Sequence, residues 1–237
     1  NGFVIVDKPS GITSHDVVVK LRKIFKTKKV GHTGTLDPFA TGVLVVALNK
    51  GNRFIEYLMA NSKTYQVEAE LGYITDTLDI DGEVKETFDI TDEIRSKLEA
   101  TVLSFKGKYL QVPPAYSAKK FQGKRLYEYA RNGKIINLPP KEVEIFDISD
   151  FNQKDNKFSF SVSVSSGTYI RSLIADIGYK LNVGATTLKL RRTKSGIFDI
   201  NESIKIEDIT EDTILKKIDN SLDLPYVKVN HSDKVLN

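Results

Sequence analysis

The segment whose residue types best suit catalysis is Val30-Gly-His-Thr-Gly-Thr-Leu-Asp-Pro-Phe-Ala-Thr-Gly-Val-Leu. Pro38 disfavours the helical region for the residue before it, so Asp37 presents its carboxylate from a loop and not from a helix face. The glycines of this segment allow positive φ angles or the close approach of a substrate. A bare Asp-Pro turn is the common structural explanation, but a carboxylate held in this way also suits a covalent nucleophile.

A second segment, Ser165-Ser-Gly-Thr-Tyr-Ile-Arg-Ser-Leu, has the pattern of a strand end, a glycine turn and the start of a helix. It offers an aromatic ring at Tyr169 and a cation at Arg171. A basic group beside Asp37 would keep that carboxylate ionised at neutral pH, as a nucleophile requires. The spacing along the chain does not show whether the two segments meet.

The sequence has none of the common motifs for cofactors and metals. It contains no Gly-x-Gly-x-x-Gly, no glycine-rich phosphate loop and no cysteine, and its three histidines are not spaced as metal ligands on a helix. We therefore expect chemistry without a cofactor and without a metal.

The acidic segment Asp79-Ile-Asp-Gly-Glu allows two other interpretations. It resembles part of a calcium loop, but with Gly82 in the glycine position the bidentate acid would fall on Phe88, which excludes calcium. The second interpretation is a glycosidase site with paired carboxylates. Acids that flank a glycine turn usually only solvate it, and we expect this of Asp76, Asp79 and Asp81.

Basic residues are concentrated in three clusters, although the net charge is only +4. Such patches are typical of a protein that binds a polyanion, whereas a single lysine-rich segment is more often a solvated surface. Aromatic residues accompany the first two clusters, which favours nucleic acid. The clusters are Lys20, Arg22, Lys23, Lys26, Lys28 and Lys29; Lys119, Lys120, Lys124 and Arg125; and Lys189, Arg191, Arg192 and Lys194.

Length and composition indicate a globular protein with a substantial core. A chain of 237 residues with 40% hydrophobic and 28% charged residues can bury about 70% of its surface and is not intrinsically disordered overall. The densest apolar run, 43–48, is far shorter than a membrane span. The first residues lack the layout of a signal peptide, so we expect a cytoplasmic protein with no membrane partner.

The pattern of elements predicts an α+β fold with a mixed or antiparallel sheet and helices packed on it, because strands and helices do not alternate regularly. Predicted strands lie at 3–7, 64–71, 143–148 and 158–164, with a buried element at 41–48. Predicted helices lie at 17–25, 51–58, 91–103, 123–132 and 169–181, and Thr13 is a candidate N-cap for the first.

The segment that contains Asp37 resembles the signature loop of the TruB-type tRNA pseudouridine-55 synthases, and the resemblance extends over about two hundred residues. It includes Asp7-Lys-Pro-Ser-Gly, Lys63-Thr-Tyr, Gln111-Val-Pro-Pro-Ala-Tyr-Ser-Ala, Gly167-Thr-Tyr-Ile-Arg and Leu190-Arg-Arg-Thr. It implies conversion of a uridine in the tRNA T-loop to its carbon-linked isomer, without metal or cofactor. It also implies a curved mixed sheet flanked by helices, with an RNA-gripping insertion at about 109–140.

The resemblance implies a role for each matching residue. Asp37 corresponds to the catalytic aspartate, and the uridine atom that it attacks is left open. Tyr65 corresponds to the aromatic that stacks under the flipped base, and Arg171 to the arginine paired with the acid. Flipping a base out of a folded loop costs a few kcal/mol, which stacking of about 1–3 kcal/mol helps to offset.

Substrate-binding roles follow for the other matches. The resemblance places Tyr169 in the base-binding motif and Leu190 against the uracil. It places His32 in the hole that the extruded nucleotide leaves, and Lys8 in a segment packed behind the catalytic loop. The expected partner is the T-arm of tRNA, bound by a monomer.

The expected domain organisation is a catalytic domain at 1–225, followed at 226–237 by the start of a further RNA-binding segment. Two alternatives to a stand-alone enzyme remain open. A non-catalytic RNA-binding module would keep the basic clusters, but it has no reason to combine Asp37 with Arg171. A dyskerin-like relative that depends on a guide RNA would share the catalytic motifs and require partner proteins.

Overall fold

A computed structural model describes residues 1–59, 62–136 and 138–217. One ten-stranded sheet dominates this part of the chain, accompanied by two two-stranded sheets. The start of a further domain that we predicted at 226–237 lies outside the described residues. The strands are β1 (Gly2–Lys8), β2 (Val30–His32), β3 (Thr41–Leu48), β4 (Lys63–Leu71), β5 (Tyr73–Thr75), β6 (Val84–Thr87), β7 (Gly107–Gln111), β8 (Lys120–Phe121), β9 (Lys124–Arg125), β10 (Lys141–Lys154), β11 (Lys157–Val164), β12 (Ala185–Ser195), β13 (Phe198–Asp199) and β14 (Ile204–Lys205).

The described helices pack on or beside this sheet, and none of them has the length and apolar character needed to cross a membrane. Three are of ten residues or more and supply most of the helical packing. The α-helices are α1 (Ser14–Ile24), α2 (Ile55–Met59), α3 (Asp92–Leu103), α4 (Leu126–Arg131) and α5 (Ile170–Lys180), with short 3₁₀ helices at Asn49–Phe54, Ile200–Glu202 and Ile206–Asp208.

The large sheet is mixed, in the order β14-β1-β3-β12-β4-β11-β10-β7. Strand β12 runs parallel to β3 and antiparallel to β4. It therefore joins the amino-terminal strands β1 and β3 to the half of the sheet formed by β4, β11, β10 and β7. At the β3–β12 contact Gly42 has φ +101°, and a Cβ there would lie 2.2 Å from the carbonyl oxygen of Arg192. The α+β prediction with a mixed sheet is confirmed.

The core forms where alternating residues of the strands meet the helices. In β4 the buried residues Tyr65, Val67 and Ala69 alternate with more exposed polar ones, and β11 repeats the pattern with aromatic and β-branched residues. This period of two places one face of the sheet against α1, α3 and α5. The predicted cap of α1 is present as a capping box between Thr13 and Asp16.

One predicted element is wrong in part. The helix expected at 123–132 begins only at Leu126, because Lys124 and Arg125 form a small hairpin with Lys120 and Phe121. The turn of this hairpin has positive φ at both central residues, Gln122 (+47°) and Gly123 (+84°). Such a turn matches the twist of paired strands and competes with helix formation.

Candidate active site

Asp37 and Arg171 form a bidentate ion pair, although 134 positions separate them in the sequence. Asp37 lies in the loop between β2 and β3, and Arg171 lies in the first turn of α5. Arg171 Nε donates to Asp37 Oδ2 at 2.9 Å and Nη2 donates to Oδ1 at 3.1 Å. The Arg171 side chain is 3% exposed and that of Asp37 is 32% exposed. The fork of Arg171 therefore fixes a carboxylate that remains open to a ligand.

The other donors of Arg171 are also occupied. Nη1 donates to the carbonyl of Thr77 at 2.6 Å, and Nη2 to the carbonyl of Tyr116 at 2.9 Å. Nη1 also lies 3.4 Å from Asp79 Oδ2. Four of the five N–H groups of the guanidinium thus donate hydrogen bonds, and together with the Asp79 ion pair they fix its orientation.

Asp79 is a site residue that the sequence prediction missed. We expected a solvated turn acid, but the residue is 5% exposed. Burial raises the pKa of the Asp79 carboxyl, and the hydroxyl of Thr77 and the charge of Arg171 act in the opposite direction. Asp79 also accepts hydrogen bonds from the Thr77 hydroxyl and the Asp81 amide. Its spacing from a glycine gave no signal of this burial.

A cavity of about 350 Å³ opens beside Asp37. Four of the predicted residues besides Asp37 line it: Tyr65, Tyr169, Arg171 and Leu190. Tyr65 and Leu190 come from the adjacent strands β4 and β12, and both are less than a tenth exposed. An aromatic and an aliphatic side chain beside a carboxylate suit a flat, partly polar ring.

Lys8 and His32 lie outside the residues that line this cavity in the described part of the chain. Lys8 is fully buried, and its Nζ donates to the carbonyls of Pro9, Ile12 and Pro38. Burial lowers the pKa of Lys8 to about 8. Lys8 thus binds the carbonyl of Pro38, the residue after Asp37, as expected of a segment packed behind the catalytic loop. The predicted contact of Lys8 with substrate remains a prediction.

His32 ends β2, one residue before the cavity wall begins at Thr33. Its Nδ1 accepts a hydrogen bond from the amide of Gly34 at 3.3 Å. Burial, with the nearby charge of Arg192, lowers the pKa of His32 to about 4. The imidazole is therefore neutral at physiological pH, and its predicted contact with RNA remains a prediction.

Each member of the third basic cluster has a bonding partner within the described part of the protein. Arg192 is 2% exposed and donates to the carbonyls of Val43, Gly34 and Thr35, so it holds β12 to the loop before Asp37. The other members are paired with acids: Lys189 with Glu68, Arg191 with Asp7, and Lys194 with Asp199. A sequence does not show which charges have acidic partners, and the predicted contact of this cluster with a polyanion remains a prediction.

A chain of hydrogen bonds links the start of α5 to β7. The side chain of Gln111 accepts from the amide of Tyr169 at 2.7 Å and donates to its carbonyl at 3.0 Å. Gln111 also donates to the Tyr109 hydroxyl, which bonds the half-buried carboxyl of Asp176. Burial raises the pKa of Asp176 to about 6. This network holds the backbone that carries Tyr169.

Lys63 is a second missed residue of the cavity wall. It is 7% exposed, and its Nζ donates to the carbonyl of Met59, which also accepts from the hydroxyl of Ser166. Burial lowers the pKa of Lys63 to about 8. Its only signal in the sequence was its place in the Lys63-Thr-Tyr motif.

Within the described ranges no group of three or more acidic, histidine or cysteine side chains could hold a metal ion.

Comparison with protein families places these residues in a known context. Residues 22–170 match the model of the N-terminal domain of TruB family pseudouridylate synthases, and residues 171–226 match that of the tRNA pseudouridylate synthase B C-terminal domain. The chain belongs to the TruB family of pseudouridylate synthases. The expectation of an isomerase is thereby confirmed.

Two relatives show the extent of the family similarity. The chain is 51% identical over 231 residues to tRNA pseudouridine synthase B of Thermosipho melanesiensis, an alignment that covers 96% of this chain and 75% of the relative. It is 46% identical over 219 residues to the protein of the same name from Clostridium perfringens, covering 92% and 74%.

Solved structures confirm the fold of this family member. A Cbf5-Nop10-Gar1 complex contains a chain that matches with a TM-score of 0.67 and 34% identity, over 87% of this chain and 53% of that one. An H/ACA RNP bound to a substrate RNA containing 2′-deoxyuridine matches with a TM-score of 0.64 and 31% identity, over 87% and 51%. This chain thus spans about half the length of those solved chains.

Proposed function

We propose that this protein isomerises one uridine of the tRNA T-arm, position 55, to pseudouridine without a cofactor. The observation that carries the proposal is the bidentate pair of Asp37 and Arg171 at the wall of a cavity lined by Tyr65 and Leu190. The name of the similar bacterial proteins, tRNA pseudouridine synthase B, supports tRNA as the substrate class.

The first step is extrusion of the uridine from its loop into the cavity. Unstacking a base costs a few kcal/mol, and packing its face on an aromatic ring returns about 1–3 kcal/mol. We assign the stacking surface to Tyr65 and the opposing apolar contact to Leu190. Both side chains are buried on paired strands, so the slot exists before RNA binds.

The second step is attack by the Asp37 carboxylate on the uridine, at either the uracil ring or the ribose C1′. The N1–C1′ bond breaks, the uracil turns, and a C5–C1′ bond forms. The bond between the Asp37 oxygen and the uridine also breaks, which returns the carboxylate to its starting state. A proton leaves C5 and a proton is gained at N1, so substrate and product have the same composition and no co-reactant is required. Arg171 holds the Asp37 carboxylate in a fixed orientation before the attack.

RNA grip is assigned to the insertion at 109–140 and its basic cluster. Lys124 and Arg125 are exposed, and Arg125 and Arg131 lie over the ring of Tyr127 at 6.0 and 5.3 Å. The carbonyl of Tyr116 contacts Arg171, so the insertion is attached directly to the site.

We further propose a monomeric, cytoplasmic enzyme whose catalytic domain spans 1–225.

The test is formation of pseudouridine in an unmodified T-arm minihelix incubated with this protein alone. We expect product from the wild type and none from Asp37→Asn, with RNA affinity of the variant within about tenfold, or about 1.4 kcal/mol. Product that appears only with an added guide RNA would favour the dyskerin-like alternative. RNA binding without product would favour the non-catalytic module, and turnover by Asp37→Asn would refute the role of Asp37.

A further inference from the structure

A second, smaller cavity of about 210 Å³ adjoins the one beside Asp37. The two cavities share Lys119, Gly167 and Tyr169 as a common wall. The second cavity is closed by Lys141 at the start of β10 and by Gln111 and Pro113 at the end of β7 and beyond. Nothing in the reaction scheme above uses it.

The charge in this second cavity is not neutralised. Lys119 and Lys141 make no ion pair with an acid within the described residues. They differ in this respect from Lys189, Arg191 and Lys194 on the same sheet, each of which has an acidic partner. Two lysines from separate segments thus line one small cavity, and an anion bound between them would be attracted by both charges.

The side-chain amide of Gln111, which also lines this cavity, is not free to bind a ligand. Gln111 lies opposite Lys141 in the β7–β10 register, but both ends of its amide are bonded to the Tyr169 backbone. Gly167 has φ +86°, and a Cβ there would lie 3.4 Å from Lys141 Nζ, so the absence of a side chain keeps the approach open. Lysine offers donors only, which excludes a nucleobase edge that needs both donors and acceptors and suits an acceptor-only anion.

We propose that this cavity is a subsite for one phosphodiester group of the RNA strand next to the target uridine, held between Lys119 and Lys141. The inference rests on the proposed function, since it takes the neighbouring cavity as the uridine site. A nucleotide turned out of its loop brings its flanking phosphates to the mouth of the pocket that receives the base. The subsite thereby fixes the backbone beside Tyr169 while the ring is inserted.

The experiment measures affinity for a T-arm hairpin as a function of salt for the wild type, Lys119→Gln, Lys141→Gln and the double variant. The matched control is Lys154→Gln, an exposed lysine at the far end of the same strand β10. The double variant should reduce the log–log salt slope by about 0.7–0.9, the value for one phosphate contact. Each single variant should reduce the slope by no more than that, and the control should leave it unchanged. Thermal unfolding of each variant checks that the fold is intact.

A second arm replaces single phosphodiesters around the target uridine by neutral methylphosphonates. At one linkage the wild type should lose affinity and the double variant should lose none, which identifies the bound phosphate. An unchanged salt slope in the double variant would overturn the subsite. The subsite would also be overturned if no single neutral linkage weakened binding by the wild type more than binding by the double variant. If the wild type makes no pseudouridine in unmodified RNA, the proposed function fails, and the binding data still judge the subsite separately.

Discussion

Asp79 Oδ2 lies 3.4 Å from Arg171 Nη1, on the part of the guanidinium that Asp37 does not use. Asp79→Asn removes a charge from this contact while preserving size and most hydrogen bonding. We expect kcat to fall by about 10- to 100-fold, because a small shift of Arg171 misaligns Asp37. Affinity for RNA should stay within about twofold. The control is Asp81→Asn, its exposed neighbour, and equal kcat values for the two variants would contradict the prediction.

Arg171→Lys keeps the charge but loses the fork that contacts both carboxylates. A lysine ammonium cannot span Asp37, Asp79 and the carbonyls of Thr77 and Tyr116, so buried acceptors lose their donors. We expect kcat to fall by at least about 100-fold and the protein to lose about 1–3 kcal/mol of stability. Arg191→Lys at the half-exposed pair with Asp7 serves as the comparison. If Arg171→Lys were as active as Arg191→Lys, the guanidinium of Arg171 would not be needed to orient Asp37.

The ring of Tyr65, and not its hydroxyl, should account for the affinity of the uridine pocket. Tyr65→Phe should bind the T-arm hairpin within about twofold of the wild type, whereas Tyr65→Ala should lose about 1–3 kcal/mol. Equilibrium binding and single-turnover rates separate the two contributions. A slow Tyr65→Phe with normal affinity assigns the hydroxyl to proton transfer. Equal losses of affinity in both variants would disprove stacking as the main contribution.

Asp176 makes stability depend on pH in a direction opposite to most acids. Because burial raises its pKa to about 6, the folded protein binds an extra proton between about pH 4 and 6. Its contribution to stability therefore falls as pH rises through that window. Asp176→Asn should be more stable than the wild type at pH 7, by at most about 3 kcal/mol, and equal to it near pH 4.

The measurement is denaturant unfolding at several pH values, with the exposed Asp212→Asn as control. Asparagine still accepts a hydrogen bond from Tyr109, so the network to Gln111 is kept. A stability difference that does not change between pH 4 and 7 would show that titration of Asp176 is not its cause.

Much of the fold could be predicted because its patterns are local. The alternation in β4 and the Thr13 cap are visible in a short window, and both are present. The hairpin that shortens α4 was not predicted, because a glycine after a polar residue fits either a turn or a helix boundary.

Less of the site than of the fold could be predicted from local sequence patterns. The motifs around Asp37 and Arg171 identified both as candidates, and the family resemblance implied that they pair. The spacing along the chain did not show this contact, which the tertiary structure gives as 2.9 Å. Burial separates Asp79 from its exposed neighbour Asp81, and it separates Arg192 from the surface cations of its cluster. Burial of a charged residue depends on distant strands, so no local pattern reports it.

The central position of β12 has a consequence for how the protein is made. Strand β12 joins two groups of the described strands: β1 and β3 on one side, and β4, β11, β10 and β7 on the other. It follows all six of these strands in the sequence. A ribosome must therefore release every residue through β12 before the two groups can pair, and Arg171, which orients Asp37, emerges only shortly before β12. Such long-range pairing is slow to form. Synthesis thus leaves the nascent chain with two open strand edges, and a chaperone that shields exposed edges would act in that interval.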